Sequence, residues 1–185
     1  AQRACQVFLK KHQHDFNVLD AEITNLLGAT EAARDGDNDE LFVQMICELV
    51  VGNAYYQARG HSPRSFELLK VDSDKAKELG DLEAAHYLVA RMGDTYRELY
   101  GDLDKALEAF KEALGLAQTL DNIEREAIML GLIGITRFSQ GESDANNYLD
   151  QAYTLAKSKG DDLALGQILQ YKSYLAGIGE SHQIA

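Results

Sequence analysis

Apolar side chains recur at steps of three and four residues through most of the chain. The segment 102–117, DLDKALEAFKEALGLA, shows this pattern at Leu103, Ala106, Leu107, Phe110, Ala113 and Leu114. This spacing places the apolar positions on one face of an α-helix. The alternating runs of valine, isoleucine and threonine that are typical of strands do not occur in the sequence. The pattern therefore predicts an all-α protein.

Capping and helix-breaking residues predict where the helices begin and end. Gly101 ends one helix, and Asp102 is placed to cap the next by accepting from its first amide groups. Ser62 is placed to cap a helix that begins at Pro63, because the first helical position does not need the N–H group that proline lacks. Four further helices, rich enough in apolar residues to pack on more than one side, are predicted over 38–60, 81–101, 122–141 and 162–177.

Two sets of glycines recur with one period. The set at predicted turns is separated by 41 and 40 residues and comprises Gly60, Gly101 and Gly141. The set inside predicted helices is separated by 41 and 41 residues and comprises Gly52, Gly93 and Gly134. Glycine inside a helix costs about 1 kcal/mol relative to alanine. Because this cost is repeated, we expect a neighbouring helix to approach closely at each of these positions.

A recurring helix pair indicates a repeat protein, since one pair cannot bury its apolar face alone and stacked pairs form a continuous core. The predicted repeats are 38–80, 81–121 and 122–160, followed by a terminal helix over 161–178. Residues 1–37 form an N-terminal helical segment that does not follow the repeat. We expect these parts to form one continuous array.

The repeated positions resemble tetratricopeptide repeats. That family's pattern has Leu-Gly in the first helix, Tyr three residues later, a turn glycine, and then Ala, a large apolar residue and Ala in the second helix. The second repeat supplies Met92, Gly93, Tyr96, Gly101, Ala106, Phe110 and Ala113. The resemblance implies a right-handed superhelix of antiparallel helix pairs with a ligand-binding groove. The period of 41 exceeds the family's commoner period of about 34, so we expect longer helices.

The other two repeats depart from the family pattern. In the first, the Ala, Phe and Ala places of the second helix hold Ser65, Leu69 and Asp72. In the third, Arg137 stands at the Tyr place, and the second helix keeps the pattern after a one-residue deletion, with Ala145, Leu149 and Ala152. We therefore expect the poorest packing in the second helix of the first repeat.

The N-terminal segment resembles the stretch that leads into the helical arm of bacterial STAND-class signalling ATPases. A histidine precedes the pattern F/Y-x-x-L-x-x-E-x-x-N-L-x-x-A, and the matching residues are His14, Phe16, Leu19, Glu22, Asn25, Leu26 and Ala29. This resemblance implies a sensor or partner-binding arm of a larger regulator, and the start at Ala1 rather than Met fits a fragment. The chain has no G-x-x-x-x-G-K-[ST] phosphate loop, so we expect no nucleotide or other cofactor.

Composition and charge limit the expected partners and compartment. The 185 residues include 30 acidic and 18 basic side chains, which gives a formal net charge of −12. This charge disfavours nucleic acid and acidic membrane surfaces, and it either provides solubility or attracts a basic partner. Cys5 and Cys47 match no metal-ligand spacing or disulfide framework, so we expect buried free thiols in a reducing, cytoplasmic compartment. No apolar run could span a bilayer, and no secretory signal is visible.

Three short motifs invite a chemical interpretation but favour a structural one. His12 and His14 in HQHD point to different sides of a helix, so a polar turn is preferred over a metal site. The segment 35–40, DGDNDE, lacks the glycine and glutamate that a calcium loop requires, and a capped turn between helices fits it better. The segment 131–134, GLIG, lies in an apolar helical run without a basic cluster, so close helix packing is predicted.

No catalytic arrangement stands out in the sequence. Ser, His and Asp, or Cys and His, form no recognisable set, and His61 and His86 are isolated. An all-helical hydrolase would need clustered acids or a nucleophile beside a base. We therefore predict no catalytic residues, no metal ligands and no enzymatic activity.

The candidate site is the groove lined by the first helix of each pair. Its lining residues are Asn53, Tyr56 and Gln57 in the first repeat, Tyr87, Asp94, Arg97 and Glu98 in the second, and Ile135, Phe138 and Ser139 in the third. Polar groups with interspersed aromatic rings suit a peptide or protein ligand. The alternative is that these are ordinary surface or inter-helix residues. Some receptors of this fold bind the terminal carboxylate of a chaperone tail with lysines in the groove. This chain has Leu49 and Gln57 at the places of those lysines, so we exclude that class of ligand.

The sequence thus predicts a non-enzymatic module that binds a protein or peptide. We expect it to be the sensor or partner-binding arm of a larger bacterial signalling or transcription regulator. The alternative is an assembly module, in which the ends or the convex face of the array make a homo-oligomer. A terminal repeat without a polar cap would leave apolar surface open to a second copy.

Overall fold

All regular secondary structure in the described part of the chain is helical. The computed structural model describes residues 7–9, 11–12, 15–36, 38–51, 63–160 and 162–182. Its helices are α1 (Phe16–Asp35), α2 (Asp39–Ile46), α3 (Pro63–Glu78), α4 (Leu82–Thr95), α5 (Leu103–Thr119), α6 (Ile123–Ser139), α7 (Ala145–Lys159) and α8 (Asp162–His182). Two of them continue as π-helix: α2 through Cys47–Val51 and α4 through Tyr96–Tyr100. The all-α prediction is confirmed for these residues.

The chain divides into two compact units, residues 1–99 and residues 100–185. In the first unit, α2 packs against α1 and α3, and α3 packs against α4. In the second unit, α6 packs against α5 and α7, and α8 packs against both α6 and α7. Successive helices within each unit are therefore neighbours, and the continuous superhelix stays a prediction.

The predicted helix starts carry side-chain caps. Asp102 accepts a hydrogen bond from the amide of Lys105 at 3.1 Å, which confirms the predicted cap of α5. Asp81 caps α4 through the amide of Ala84 at 3.0 Å, and Asn122 caps α6 through the amide of Arg125 at 3.0 Å. Helix α3 begins at Pro63 as predicted, while Ser62 lies outside the described residues. These caps satisfy amide groups that would otherwise lack intrahelical partners.

Helices in the described residues end repeatedly at a residue with positive φ, and after α3, α5 and α6 the turn also has the same backbone hydrogen bond. After α3, Gly80 has φ 74°, and the next amide, that of Asp81, donates to the carbonyl of Ala76 at 2.9 Å. The same pattern follows α6 at Gly141 and α5 at Asp121, where φ is 51°. Glycine adopts this conformation without the steric cost that a side chain brings. Asp121 is the one non-glycine in the described residues that has a positive φ.

The glycines of the GLIG segment lie where neighbouring helices approach α6. A Cβ atom on Gly134 would stand 2.9 Å from Cγ of Leu149 and 3.2 Å from the carbonyl oxygen of Ala145, both on α7. A Cβ atom on Gly131 would stand 3.0 Å from Cδ2 of Tyr171 on α8. These distances confirm close helix packing in this segment. Gly93 is buried in α4, and Gly52 and Gly60 lie outside the described residues.

The repeat pattern identifies buried core positions correctly, even where it departs from the family. Ala106, Phe110 and Ala113 are buried in α5, and Ala145, Leu149 and Ala152 are buried in α7. The corresponding side chains of α3, where the poorest packing is predicted, are also fully buried: Ser65, Leu69 and Asp72. The register of the pattern therefore holds in α3, although two of its residues there are polar.

One inserted residue distinguishes α4 from α6. Gly93 and Gly101 are 8 residues apart, whereas Gly134 and Gly141 are 7 apart. The extra residue lies where α4 widens into the π-helical turn Tyr96–Tyr100, while α6 stays α-helical through Ser139. A π-turn is how a helix absorbs a one-residue insertion without breaking, and such turns are frequent at functional sites.

Candidate functional site

The exposed face of α4 brings together three of the predicted groove residues. Tyr87, Asp94 and Glu98 follow one another at steps of seven and four residues, with Arg91 between the first two. Residues at this spacing share one face of a helix. The Tyr87 ring is 40% exposed, and the side chain of Glu98 is 66% exposed. We call this set, together with Arg97, the α4 face.

An ion-pair network joins the charged members of the α4 face. Asp94 lies 3.4 Å from Nη1 of Arg91 and 3.8 Å from Nη2 of Arg97. The same Nη2 of Arg97 lies 2.7 Å from Glu98. Burial raises the pKa of Asp94 above its usual range, although Arg91 and Arg97 both act to lower it. Nε of Arg97 is buried and donates no hydrogen bond in the described structure.

Residues behind the α4 face hold it in place. Tyr96 packs edge-on against Phe66 of α3, with ring centroids 5.2 Å apart and an interplanar angle of 89°. His86 is buried, and its ring lies edge-on to that of Tyr87 with centroids 5.5 Å apart. The aromatic contact to α3 thus fixes the first residue of the π-turn, and the buried imidazole supports the exposed tyrosine.

The remaining predicted groove residues either offer less surface to a ligand or lie outside the described part of the chain. Phe138 is half-buried on α6, and Ile135 of the same helix is buried, so it offers no surface to a ligand. Ser139 donates its hydroxyl proton to the carbonyl of Ile135 at 3.0 Å. These three belong to the second unit. The predictions for Asn53, Tyr56 and Gln57 fall outside the described residues.

A shallow pocket between α6 and α7 was missed by the sequence analysis. Its volume is about 480 Å³, and it is lined by Glu126, Leu130, Asp150, Gln151, Thr154, Leu155 and Ser158. Its polar groups are largely engaged: Lys172 binds Asp150, and Gln118 donates to Glu126 at 3.0 Å. The hydroxyls of Thr154 and Ser158 donate to backbone carbonyls of their own helix. No motif marks the pocket, because it is a gap between two helix surfaces.

The motifs that suggested metal chemistry serve as helix starts. Asp15 of HQHD accepts from the amide of Val18 at 3.3 Å and caps α1. In DGDNDE, Asn38 caps α2 through the amide of Leu41 at 3.2 Å, and Asp39 and Glu40 occupy the first turn of that helix. The capped turn predicted for DGDNDE is confirmed at Asn38, Asp39 and Glu40, while residues 13 and 14 of HQHD lie outside the described residues. Where side chains are described, no three His, Cys, Asp or Glu residues converge on a possible metal position.

Comparison with models of known protein families gives no match for this chain, and comparison with curated protein sequences finds no similar relative. None of the helices in the described ranges has the length and apolar character needed to cross a membrane. What these residues define is an all-helical protein of sequentially packed helices. Its α4 face, aromatic at one end and ion-paired along its length, is the candidate binding surface.

Proposed function

We propose that this chain is a non-enzymatic module that binds a protein or peptide at the α4 face. The observation that carries this proposal is the α4 face itself, on which an exposed tyrosine and an ion-pair network share one helix surface. Tyrosine and arginine are the residue types that most often contribute the binding energy of interfaces. Tyr87 is also supported from behind by His86, so its ring loses little freedom on binding.

The charge of the chain favours a basic ligand. The formal net charge is −12, and the α4 face presents the exposed carboxylate of Glu98 about three helical turns beyond the Tyr87 ring. A basic segment of a partner would gain from both groups, with one lysine or arginine at the ring and another at the carboxylate, since cations bind the faces of aromatic rings as well as carboxylates. We therefore propose a basic protein or peptide segment as the ligand, rather than nucleic acid or a membrane.

The resemblance to tetratricopeptide arrays and to the helical arms of STAND-class ATPases supplies the proposed context. In this proposed context, the chain is the sensor or partner-binding arm of a larger cytoplasmic bacterial regulator that acts in signal transduction. Binding at the α4 face would then change the rest of the parent protein by favouring one of its conformations.

One observation favours a second candidate, a homo-oligomeric assembly module. The outward side of α8 carries Leu163, 67% exposed, and Tyr174, 62% exposed, together with the exposed Leu169. Large exposed apolar side chains of this kind favour contact with another protein surface. A second copy of the chain would provide it.

A titration with labelled peptides tests the proposed function. We expect peptides rich in lysine, arginine and tryptophan to bind the wild-type chain, and glutamate-rich peptides of equal length not to bind. Salt should weaken the binding, because exposed charges are screened within about 8 Å at physiological ionic strength. Tyr87→Ala should weaken it about tenfold, since truncating an aromatic anchor of an interface costs more than about 1 kcal/mol.

Tyr174→Ala is the control, because it removes an exposed tyrosine, 62% exposed against 40% for Tyr87, from the second unit. Its affinity should equal that of the wild type. Equal affinities of wild type and Tyr87→Ala for every binding peptide would reject the α4 face as the binding surface.

A further inference from the structure

Asp72 is a buried carboxyl group to which none of the described residues donates a hydrogen bond. It lies on α3, and its exposed fraction is 0%. Both of its side-chain oxygens are shielded from solvent, and no group in the described structure donates a hydrogen bond to either. Burying a charged carboxylate in this way is very costly, whereas the protonated form avoids most of that cost. The position needs an explanation, since buried polar groups are nearly always partnered.

The ionisable groups around Asp72 do not compensate a negative charge. From the side of α2, Cys47 interacts with Asp72, and burial together with that carboxyl raises the pKa of the Cys47 thiol to about 12. Glu48 beside it and Asp81 at the start of α4 add further negative charge. His86 of α4 is also buried.

The lysines of α3 are engaged elsewhere. Lys75 is bound by Asp39 at 3.2 Å and by Glu78 at 3.1 Å. Lys70 pairs with Glu67, and Lys77 pairs with Asp74. Burial, and secondly the charge of Asp81, therefore raise the pKa of Asp72 to about 8.

We propose that protonation of Asp72 controls whether α3 stays packed against α2 and α4, which makes the first unit a proton-dependent conformational switch. The folded unit holds the Asp72 proton more tightly than the unfolded chain does. The stability that the protonated Asp72 contributes is fully present below about pH 4, the ordinary pKa of an aspartic acid. This contribution is lost as the pH rises to about 8. The switch therefore responds across neutral pH, where ionisation loosens the packing of α3.

The contact between Phe66 and Tyr96 carries this change to the α4 face. Phe66 belongs to α3, and Tyr96 immediately precedes Arg97 and Glu98 on the π-turn. When α3 loosens, the turn loses the ring that packs against it. Only this consequence for ligand binding rests on the proposed function; the switch itself concerns the packing of the unit.

Amide hydrogen exchange of the whole chain, without any ligand, tests the switch separately from the proposed function. Protection factors, which correct for the intrinsic effect of pH on exchange, are measured for peptides covering α3 and α6 from about pH 5 to about pH 8. For α3, a single linked proton lowers the protection factor by up to about tenfold per pH unit. For α6, which belongs to the second unit, we expect a much smaller change.

Two aspartates of the same helix provide the variant and its matched control. Asp72→Asn keeps the shape without the charge, so the fall in α3 protection with pH should disappear. Asp74→Asn removes an exposed carboxylate that pairs with Lys77 at 2.8 Å, so the fall should remain as in the wild type. Asp72→Ala, which places the residue that the repeat pattern expects there, should behave as Asp72→Asn does.

The proposal is overturned if α3 protection in the wild type does not fall with pH, or if it falls equally in Asp72→Asn. If the variants fail to fold, the proposal can still be tested in the wild type. The NMR chemical shift of the Asp72 carboxyl carbon is then followed as a function of pH. A midpoint near pH 8 supports the switch, and a midpoint in the ordinary range near pH 4 overturns it.

Discussion

Gly134 shows how a single missing side chain sets the packing of two helices. Glycine lowers the intrinsic stability of α6, yet any side chain at this position would collide with α7, where Leu149 and the carbonyl of Ala145 approach the Cα atom. Close packing gains the dispersion contacts that offset the cost in helix propensity. Gly115 on α5 offers the opposite case, since nothing lies within 4 Å of the position that its Cβ would take.

We therefore predict opposite effects for the same substitution at these two glycines. Gly134→Ala should lower the free energy of unfolding by about 1 to 2 kcal/mol, because overpacking outweighs the gain in helix propensity. Gly115→Ala should raise it by up to about 1 kcal/mol, because only the propensity changes. Urea unfolding monitored by circular dichroism measures both. A stabilised Gly134→Ala variant would contradict the close approach of α7.

Asp72 is the residue at which sequence reasoning was least complete. The repeat pattern predicts a core position there, and the residue is buried, but the pattern carries no information about hydrogen-bond partners. The ionisable groups that interact with Asp72 lie beyond its own helix, at Cys47 and Asp81, and the pattern does not indicate them. By contrast, the Asp102 cap and the turn at Gly141 depend on neighbouring residues alone, and both were predictable.

At the scale of elements, α4 and α6 stand at corresponding places of the predicted repeat but differ in local structure. At the place where the predicted pattern has tyrosine, Tyr96 packs on Phe66, whereas Arg137 binds Asp144 at the start of α7 through two contacts of 2.9 and 2.7 Å. The extra residue in α4 was visible as a longer glycine spacing, but the spacing alone does not say where the helix absorbs it. The pocket between α6 and α7 was unpredictable for a related reason, since it depends on how two surfaces fit.

Removing the extra residue should turn the π-turn into an ordinary helix. We predict that deletion of the exposed Leu99 keeps the helical content, because α6 lacks that residue and stays α-helical through Ser139. Deletion of the buried Ile133 in α6 is the control and should unfold the second unit, because it rotates the core-facing residues that follow it. Circular dichroism and thermal melting compare the two. Loss of helical content in the Leu99 deletion would contradict the insertion account.

At the scale of the whole molecule, the chain combines two compact helical units with a large negative charge. The charge opposes self-association, whereas the apolar side chains on the outside of α8 favour it. The two proposed roles therefore differ in one physical property, the number of copies in solution. A binding module at the α4 face functions as a single chain, and an assembly module does not.

Light scattering coupled to size-exclusion chromatography, over a wide range of protein concentration, tests the central claim most directly. If the chain is a ligand-binding module, its mass is that of one chain at every concentration. The replacement of Leu163 by Ser, which removes the most exposed apolar side chain among those described on α8, then leaves the mass unchanged. A mass of two or more chains that returns to one chain on dilution or in the Leu163→Ser variant would contradict this account and identify an assembly module.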